Sequence, residues 1–273
     1  MNVFSSEQCS DMDIKILQIS DMHLFATIEQ QLVGVNTEQS FLSVLDLAQQ
    51  ASWPPDLIFL TGDLSQDGSS ASYERLIKHL AALNIPCYVL PGNHDTPEKL
   101  HDIFNTSPVL YQPFVHHQQW IFAFLDSETP NEEGGTLKEH EVKRLREEIE
   151  NNPDKNVLIC LHHQLIPVGS EWLDSMTVAN PKSLHQVIQA NPSVKGLIHG
   201  HVHQDFSGIV DQRPIYATPS TCFQFKPRSK EFAIDDAPPG YRWLRLSPQG
   251  QIETAVIRLP STPDNLQQNS LGY

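Results

Sequence analysis

Basic residues, cysteines and long apolar runs are all scarce in this sequence. It has 18 lysine and arginine residues against 33 aspartate and glutamate residues, which gives a formal net charge of −15. General nucleic-acid binders and proteins of anionic membrane surfaces need a basic footprint, so we expect neither nucleic acid nor a membrane as a partner. No apolar run approaches the roughly 18 residues of a transmembrane helix. A small anionic substrate stays open, because a bound cation reverses the local field.

Cysteine is too sparse to form a disulfide framework or a thiolate metal site. The four cysteines lie far apart and include no CxxC pair: Cys9, Cys87, Cys160 and Cys222. Cys87 and Cys160 stand inside apolar, strand-like runs, which is typical of core cysteines. The first residues, MNVFSSEQCSDMD, lack the basic and apolar regions of a signal peptide. We therefore expect a reducing, cytoplasmic location.

Apolar runs alternate with helical patterns over most of the chain. We predict strands at 14–20, 56–63, 85–92, 120–127, 156–163 and 194–201, and helices at 37–50, 70–83, from Thr96, and at 137–151. This order is typical of βαβ units and a largely parallel sheet. Beyond residue 201, consecutive strand patterns divided by turn residues predict an antiparallel sheet. We expect one domain over residues 14–260, with flexible tails at 1–13 and 261–273.

Chemically reactive side chains follow the predicted strands, at the point where each strand ends. In an open α/β sheet that edge is where ligands bind. Carboxylate, amide and imidazole groups suit a metal of intermediate hardness, and the edge offers Asp21, His23, Asp63, Asn93, His162, His201 and His203. Such a set suits two ions if one carboxylate is shared, and the absence of cysteine disfavours a structural zinc site. In GNHD (92–95), Asn93 can supply a metal ligand and His94 a proton.

These residues fall in five short motifs that resemble one family. DMH (21–23), GD (62–63), GNHD (92–95), a histidine at 162 and GHVH (200–203) resemble, in that order, the signature of the calcineurin-like metallophosphoesterases. Each motif alone is weak, but five in order over residues 14–205 are specific. The resemblance implies an α/β fold, a four-layer α/β/β/α sandwich. Further segments, among them LVGVNT (32–37), TPSTCFQFKP (218–227) and the final SLGY, resemble the bacterial cyclic-AMP phosphodiesterases of that family.

The resemblance also assigns roles to the strand-end residues. It implies one metal held by Asp21, His23, Asp63 and His203, and a second held by Asp63, Asn93, His162 and His201. His94 would be the catalytic residue, and His23, Asp63, Asn93 and His94 would contact the substrate. We choose His162 over its neighbour because it ends the strand, and His163 stays as the alternative. Iron is the expected metal, while manganese and zinc also tolerate such a site.

Hydrolysis of 3′,5′-cyclic AMP to 5′-AMP is the function that this resemblance implies. Two cations would activate the attacking water by lowering its pKa, and His94 would protonate the departing ribose oxygen. Another phosphodiester or a nucleotide remains an alternative substrate, because the same motifs would serve it. A metal-free scaffold or a regulatory cyclic-nucleotide-binding module would not need this set of metal ligands. A homodimer is compatible with the sequence, which does not fix the oligomeric state.

Overall fold

Two β-sheets packed face to face organise the computed structural model, which describes residues 12–51, 54–106 and 108–272. The strands are β1 (Ile14–Ile19), β2 (Gln31–Leu32), β3 (Val35–Asn36), β4 (Leu57–Thr61), β5 (Cys87–Leu90), β6 (Asn105–Thr106), β7 (Val109–Leu110), β8 (Phe114–His117), β9 (Trp120–Phe124), β10 (Asn156–Cys160), β11 (Val194–His199), β12 (Phe206–Val210), β13 (Arg213–Ala217), β14 (Gln224–Phe225), β15 (Ile234–Asp235), β16 (Gly240–Leu246) and β17 (Ile252–Arg258). The helices are α1 (Thr37–Ala51), α2 (Ser70–Ala81), α3 (Pro97–Ile103), α4 (Glu139–Asn151), α5 (Glu171–Asp174) and α6 (Lys182–Ala190).

Parallel strands form the middle of both large sheets, as the alternating pattern predicts. The first sheet has the order β17-β16-β1-β4-β5-β7-β6, and the second has the order β12-β13-β11-β10-β9-β8. Strands β1, β4, β5 and β7 pair in parallel, and so do β9, β10, β11 and β13. Every residue of β4 and β9 is buried. Continuous apolar runs of this kind belong to strands that are covered on both faces.

Three apolar layers show how the sheets and helices stack. Between the sheets, the ring of Phe59 lies 4.9 Å from that of Phe122 and 5.0 Å from that of Phe124. On the outer face of the first sheet, α1, α2 and α3 pack against residues such as Leu17. On the outer face of the second sheet, α4 and α6 pack against residues such as Ile159. The predicted four-layer α/β/β/α sandwich is therefore confirmed.

The strands after residue 201 do not form one antiparallel sheet, so that prediction was wrong. β12 pairs antiparallel with β13 at the edge of the second sheet, while β14 pairs with β15 in a small sheet of their own. β16 and β17 form an antiparallel hairpin that joins the first sheet beside β1. Every residue of β16 is buried, so side chains on both faces of the strand are covered. Pairing with β1 places β16 inside the first sheet, where both faces of a strand can be covered.

The segment after residue 260 lies against the body of the protein. Gln267 N donates to the carbonyl oxygen of Val33 at 2.9 Å, and Leu266 packs against an apolar cluster that includes Val33. Gly34 has a φ of +84°, and a Cβ on it would lie 2.0 Å from the carbonyl oxygen of Asn265. These contacts belong to the described part of the expected flexible tail, residues 261–272, and its flexibility stays a prediction. The other expected tail, at 1–13, falls largely on residues 1–11, which lie outside the described residues. No helix in the described ranges is long and apolar enough to cross a membrane.

Candidate metal centre

The predicted ligands occupy sharp turns at the carboxyl ends of the strands. Five of these residues have positive φ angles: Asp21 (56°), His23 (49°), Asp63 (49°), His201 (67°) and His203 (46°). Left-handed backbone is uncommon for residues other than glycine and costs of order 1–3 kcal/mol each. Backbone hydrogen bonds hold the turns together, for example from Asp21 N to the Gly62 oxygen at 3.0 Å. Strain collected at one edge of the sheets is typical of a functional site.

The first predicted ligand group is brought within contact distance. His23 Nε2 lies 3.1 Å from His203 Nε2, and His203 Nε2 lies 3.4 Å from Asp21 Oδ1. His23 Nε2 also lies 3.8 Å from Asp63 Oδ2. All of these side chains are buried. Two carboxylates and two imidazoles therefore converge on one small volume.

The second group shares Asp63 with the first. Asp63 Oδ2 lies 3.4 Å from His162 Nε2, and His162 Nε2 lies 3.2 Å from Asn93 Oδ1. The ring of His201 is centred 5.1 Å from that of His162. Within the described residues, Asp63 Oδ2 and His201 Nε2 are buried atoms without a hydrogen-bond partner. Buried polar atoms are normally paired, so these two are available to a ligand.

Hydrogen bonds on the far side of the rings fix which nitrogen faces the cluster. His23 Nδ1 lies 2.7 Å from Gln66 Oε1, and His162 Nδ1 lies 2.8 Å from the carbonyl oxygen of Thr61. His203 Nδ1 lies 2.9 Å from a carbonyl oxygen in the same way. When Nδ1 donates to these acceptors, the lone pair on Nε2 faces the cluster, as metal-binding histidines require. The sequence reasoning missed Gln66, whose place in GDLSQDG gives no sign of this contact.

Asp95 joins the two loops that carry Asp63 and Asn93 without entering the cluster. Its carboxylate accepts from the backbone N–H groups of Leu64 at 3.0 Å, Ser65 at 3.0 Å and Gly92 at 2.9 Å. The hydroxyl of Tyr73 donates to it at 3.0 Å. Burial, with repulsion from a neighbouring carboxylate, raises the pKa of Asp95 to about 7. These bonds set the distance between the second and third ligand loops.

Two glycines of the motifs leave room for the ligands. A Cβ on Gly62, whose φ is +95°, would lie 2.2 Å from His162 Nδ1. A Cβ on Gly92 would lie 2.1 Å from Asp63 Oδ1. Any side chain at either position would displace a predicted ligand. The glycine of GD and the glycine of GNHD are therefore needed because they have no side chain, which lets the predicted ligands lie against the backbone.

Burial and mutual charge set the protonation of the cluster. Burial lowers the pKa of His23 to about 3 and that of His201 well below its usual range. Burial opposes the charge on Asp63, yet His162 and His94 hold the pKa of its carboxyl well below the ordinary value. Burial also opposes the charge on His162, but Asp63 raises its pKa to about 9. Cation binding needs neutral imidazole and ionised carboxylate. The pKa directions at His23, His201 and Asp63 favour those forms, whereas the raised pKa of His162 means that its proton has to leave.

The donor set fits divalent metal ions. Two nitrogens that share an ion at about 2.0–2.1 Å lie roughly 3.0–3.4 Å apart for ordinary bond angles, and the two facing nitrogens of His23 and His203 are 3.1 Å apart. Ligand atoms of Asp21, His23 and His203 all lie within 4.8 Å of one another, and so do those of Asp21, Asp63 and His162. The residues present could therefore hold divalent metal ions, with Asp63 placed to serve both groups.

His163 remains close to the second group. Its Nδ1 lies 2.8 Å from Ser127 Oγ, and its ligand atom lies within 4.8 Å of those of His162 and His201. His162, in contrast, contacts both Asp63 and Asn93. The contact with Asp63 favours His162 as the ligand. His163 stays the alternative, because its Nε2 is also a buried atom without a hydrogen-bond partner in the described part of the chain.

His94 stands at the border between the cluster and a cavity. Its ring is centred 5.1 Å from that of His23, and its backbone N–H donates to Asp63 Oδ1 at 3.0 Å. The side chain is half-buried and lines a cavity of about 230 Å³ together with Asn93 and His201. A ligand in this cavity would touch His94 and the buried cluster at once.

Comparisons of the sequence and of the structure with known proteins point to the same family. The family model described as calcineurin-like phosphoesterase matches residues 14–205. The chain is 40% identical over 270 residues to "3′,5′-cyclic adenosine monophosphate phosphodiesterase CpdA" of Vibrio vulnificus, covering 98% of each chain. It is 37% identical over 261 residues to the protein of that name from Escherichia coli K12, covering 95% of each. A dimetal phosphatase from Danio rerio shares the fold with a TM-score of 0.61 at 13% identity, over 90% of this chain and 98% of that one.

The match to the family model covers most of the chain, and the five motifs inside it meet at one buried cluster of carboxylates and imidazoles. The relatives match outside residues 14–205 as well, since the aligned portions reach nearly the full length of each chain. The chain therefore belongs to the calcineurin-like phosphoesterase family.

Proposed function

We propose that this protein hydrolyses 3′,5′-cyclic AMP to 5′-AMP with two metal ions, which would be iron, manganese or zinc. The observation that carries the proposal is near full-length identity of 34–40% to proteins named as cyclic-AMP phosphodiesterases in several bacteria. We place the activity in the cytoplasm, and the buried free thiols of the described cysteines Cys87, Cys160 and Cys222 suit a reducing compartment.

The buried cluster would hold the ions in the two groups described above. Asp21, His23 and His203 would serve one ion, Asn93, His162 and His201 the other, and Asp63 both. When bound, such ions neutralise the phosphate and make water a strong nucleophile near neutral pH. The turns and the hydrogen bonds that Nδ1 donates hold the ligands in place, so little reorganisation is needed on binding.

His94 would act at the leaving group. Hydrolysis forms a new bond from phosphorus to the water oxygen and breaks the bond to the ribose 3′ oxygen, which must gain a proton. His94 lies beside the cluster and faces the cavity, so its ring can donate that proton. His23, Asp63 and Asn93 would border the phosphate on its other side. Acid assistance of this kind contributes typically 10²–10⁴-fold.

A substrate panel tests the proposal. Metal-loaded protein is assayed with 3′,5′-cyclic AMP, 3′,5′-cyclic GMP, 2′,3′-cyclic AMP, an aryl phosphodiester and 5′-AMP, and the products are separated by chromatography. We expect cyclic AMP to be converted to 5′-AMP, with no 3′-AMP. A strong chelator should remove the activity, and added metal should restore it.

The outcome of the panel separates the named substrate from the broader chemistry. Cleavage of the aryl phosphodiester with cyclic AMP left intact would remove the named substrate and retain a phosphodiesterase of another specificity. Undiminished cyclic-AMP hydrolysis in chelator-treated, metal-free protein would contradict the use of metal ions.

A further inference from the structure

The cavity beside the candidate metal centre has both polar and apolar lining residues. The polar ones are Asn93, His94, Glu133 and His201. The other lining residues are mostly apolar, and Trp172, Phe225 and Phe232 among them are aromatic. A ligand that suits this cavity would combine a polar part with a flat apolar part.

The three aromatic rings contact one another. Trp172 lies 4.8 Å from Phe225 at an interplanar angle of 86° and 5.3 Å from Phe232 at 66°, measured between ring centroids. Phe225 also stacks on the ring of His203 at 4.2 Å and 19°. Edge-to-face contacts in this range are favourable for aromatic pairs. The aromatic cluster is thus joined directly to one of the predicted metal ligands.

Trp172 keeps an unused donor. Its indole Nε1 is buried and makes no hydrogen bond within the described ranges of the chain. Buried indole N–H groups usually find an acceptor. Because this donor lies inside the protein, only the accessible part of the Trp172 ring counts toward ligand binding.

The end of the chain completes the cavity. Leu271 and Gly272 line it together with His94 and Trp172, although Leu271 is 96% exposed. The segment reaches this position because Gln267 is bound to the backbone of Val33. A fully exposed leucine at the mouth of an aromatic cavity is placed to be covered by a ligand.

We propose that Trp172, Phe225, Phe232 and Leu271 form a nucleobase pocket that binds the purine of the substrate. The half-buried rings of Trp172 and Phe232 supply stacking surface for the base, and Phe225, which is 1% exposed, packs against both of them. The C-terminal segment closes the pocket from the side. This inference rests on the proposed function, since the phosphate is assumed to lie beside His94 and the buried cluster. It assigns selectivity to residues that the metal motifs do not include.

Substitution of Trp172 tests the pocket. Stacking of a base on an aromatic side chain is worth about 1–3 kcal/mol, so Trp172→Ala should raise the KM for cyclic AMP about 5-fold to about 150-fold. The kcat should change less than about threefold, because the metal ligands and His94 are untouched. Trp172→Phe keeps an aromatic ring but has less stacking area than the indole and no N–H, so its KM should lie between those of the wild type and the alanine variant.

The C-terminal segment is tested in the same assay. Deletion of residues 270–273 and the Leu271→Ala variant should both raise the KM for cyclic AMP and leave kcat within about threefold. Ile209→Ala is the matched control, because Ile209 is also an exposed large apolar residue, at 67% exposure, and does not line the cavity. Thermal melting of each variant verifies folding. An unchanged KM in both the Trp172→Ala and the deletion variants would overturn the pocket.

Inhibition by products separates this inference from the proposed function. Any chromogenic diester that the protein cleaves reports the inhibition constants of 5′-AMP and ribose 5-phosphate, whether or not cyclic AMP is a substrate. We expect 5′-AMP to inhibit at least about fivefold more tightly, and Trp172→Ala to remove that advantage. Equal inhibition by the two compounds in the wild type would overturn the pocket even if cyclic AMP is hydrolysed.

Discussion

Asp63→Ala should abolish hydrolysis and empty both metal positions. Asp63 is the carboxylate that contacts both ligand groups, through His23 on one side and His162 on the other. Loss of the ions removes several kcal/mol of charge stabilisation, so we expect the rate to fall at least about 10³-fold. Metal content is measured by elemental analysis on the sample used for the assay.

Two further variants test whether the effect of Asp63→Ala comes from loss of the carboxylate charge at this position. Asp63→Asn can still accept from the backbone N–H of His94 as Asp63 does, but it lacks the charge and should also lose metal. Asp46→Ala is the control, since Asp46 is exposed on α1, and it should retain both metal and activity. An Asp63→Ala protein that keeps two ions per chain would show that the carboxylate does not bridge them.

His94→Ala should retain the metal ions and lose rate. The side chain is half-buried beside the cluster and is predicted to protonate the leaving oxygen, so kcat for cyclic AMP should fall roughly 10²–10⁴-fold. The loss should be much smaller with bis(4-nitrophenyl) phosphate, because nitrophenolate leaves without a proton. His101→Ala, at an exposed histidine of α3, is the matched control.

The metal content of the His94→Ala protein decides between two roles. The ligand atom of His94 lies within 4.8 Å of those of His23 and Asp63, so a ligand role is geometrically open. If the variant loses metal, His94 is a ligand and its assignment as the proton donor is wrong. Equal rate losses on the ribose and nitrophenyl leaving groups would also contradict proton donation.

The cluster could be anticipated because parallel strands expose their carboxyl ends at the same edge. Asp21, Asp63 and Asn93 follow three neighbouring strands of the first sheet, while His162 and His201 follow two neighbouring strands of the second. Apolar runs that end in a polar residue are visible in the sequence. That the edges of the two sheets meet was implied by the family resemblance. It could not be predicted from any one of the apolar runs.

Contacts between distant parts of the chain could not be predicted. The sequence of the β16–β17 hairpin would show the same strand pattern whether the hairpin joined β1 or β13. In the structure it pairs with β1, where β16 is buried on both faces. The contact of Gln267 with Val33 joins a polar tail to a loop more than 200 residues away. The acceptor for His23 Nδ1 depends on a turn that places Gln66 Oε1 beside it. Helix α6 did carry a signal in the spacing of its buried residues Leu184, Val187 and Ile188, which the sequence analysis did not use.

Metal titration of the metal-free protein tests the two-ion account most directly. Iron(II), manganese(II) or zinc(II) is added in fractions of an equivalent under conditions of tight binding, and cyclic-AMP hydrolysis is measured at each step with bound metal counted in parallel. The account predicts activity that rises until two ions are bound per chain, with 5′-AMP as the product. Full activity at one ion per chain, or turnover by the metal-free protein, would contradict it.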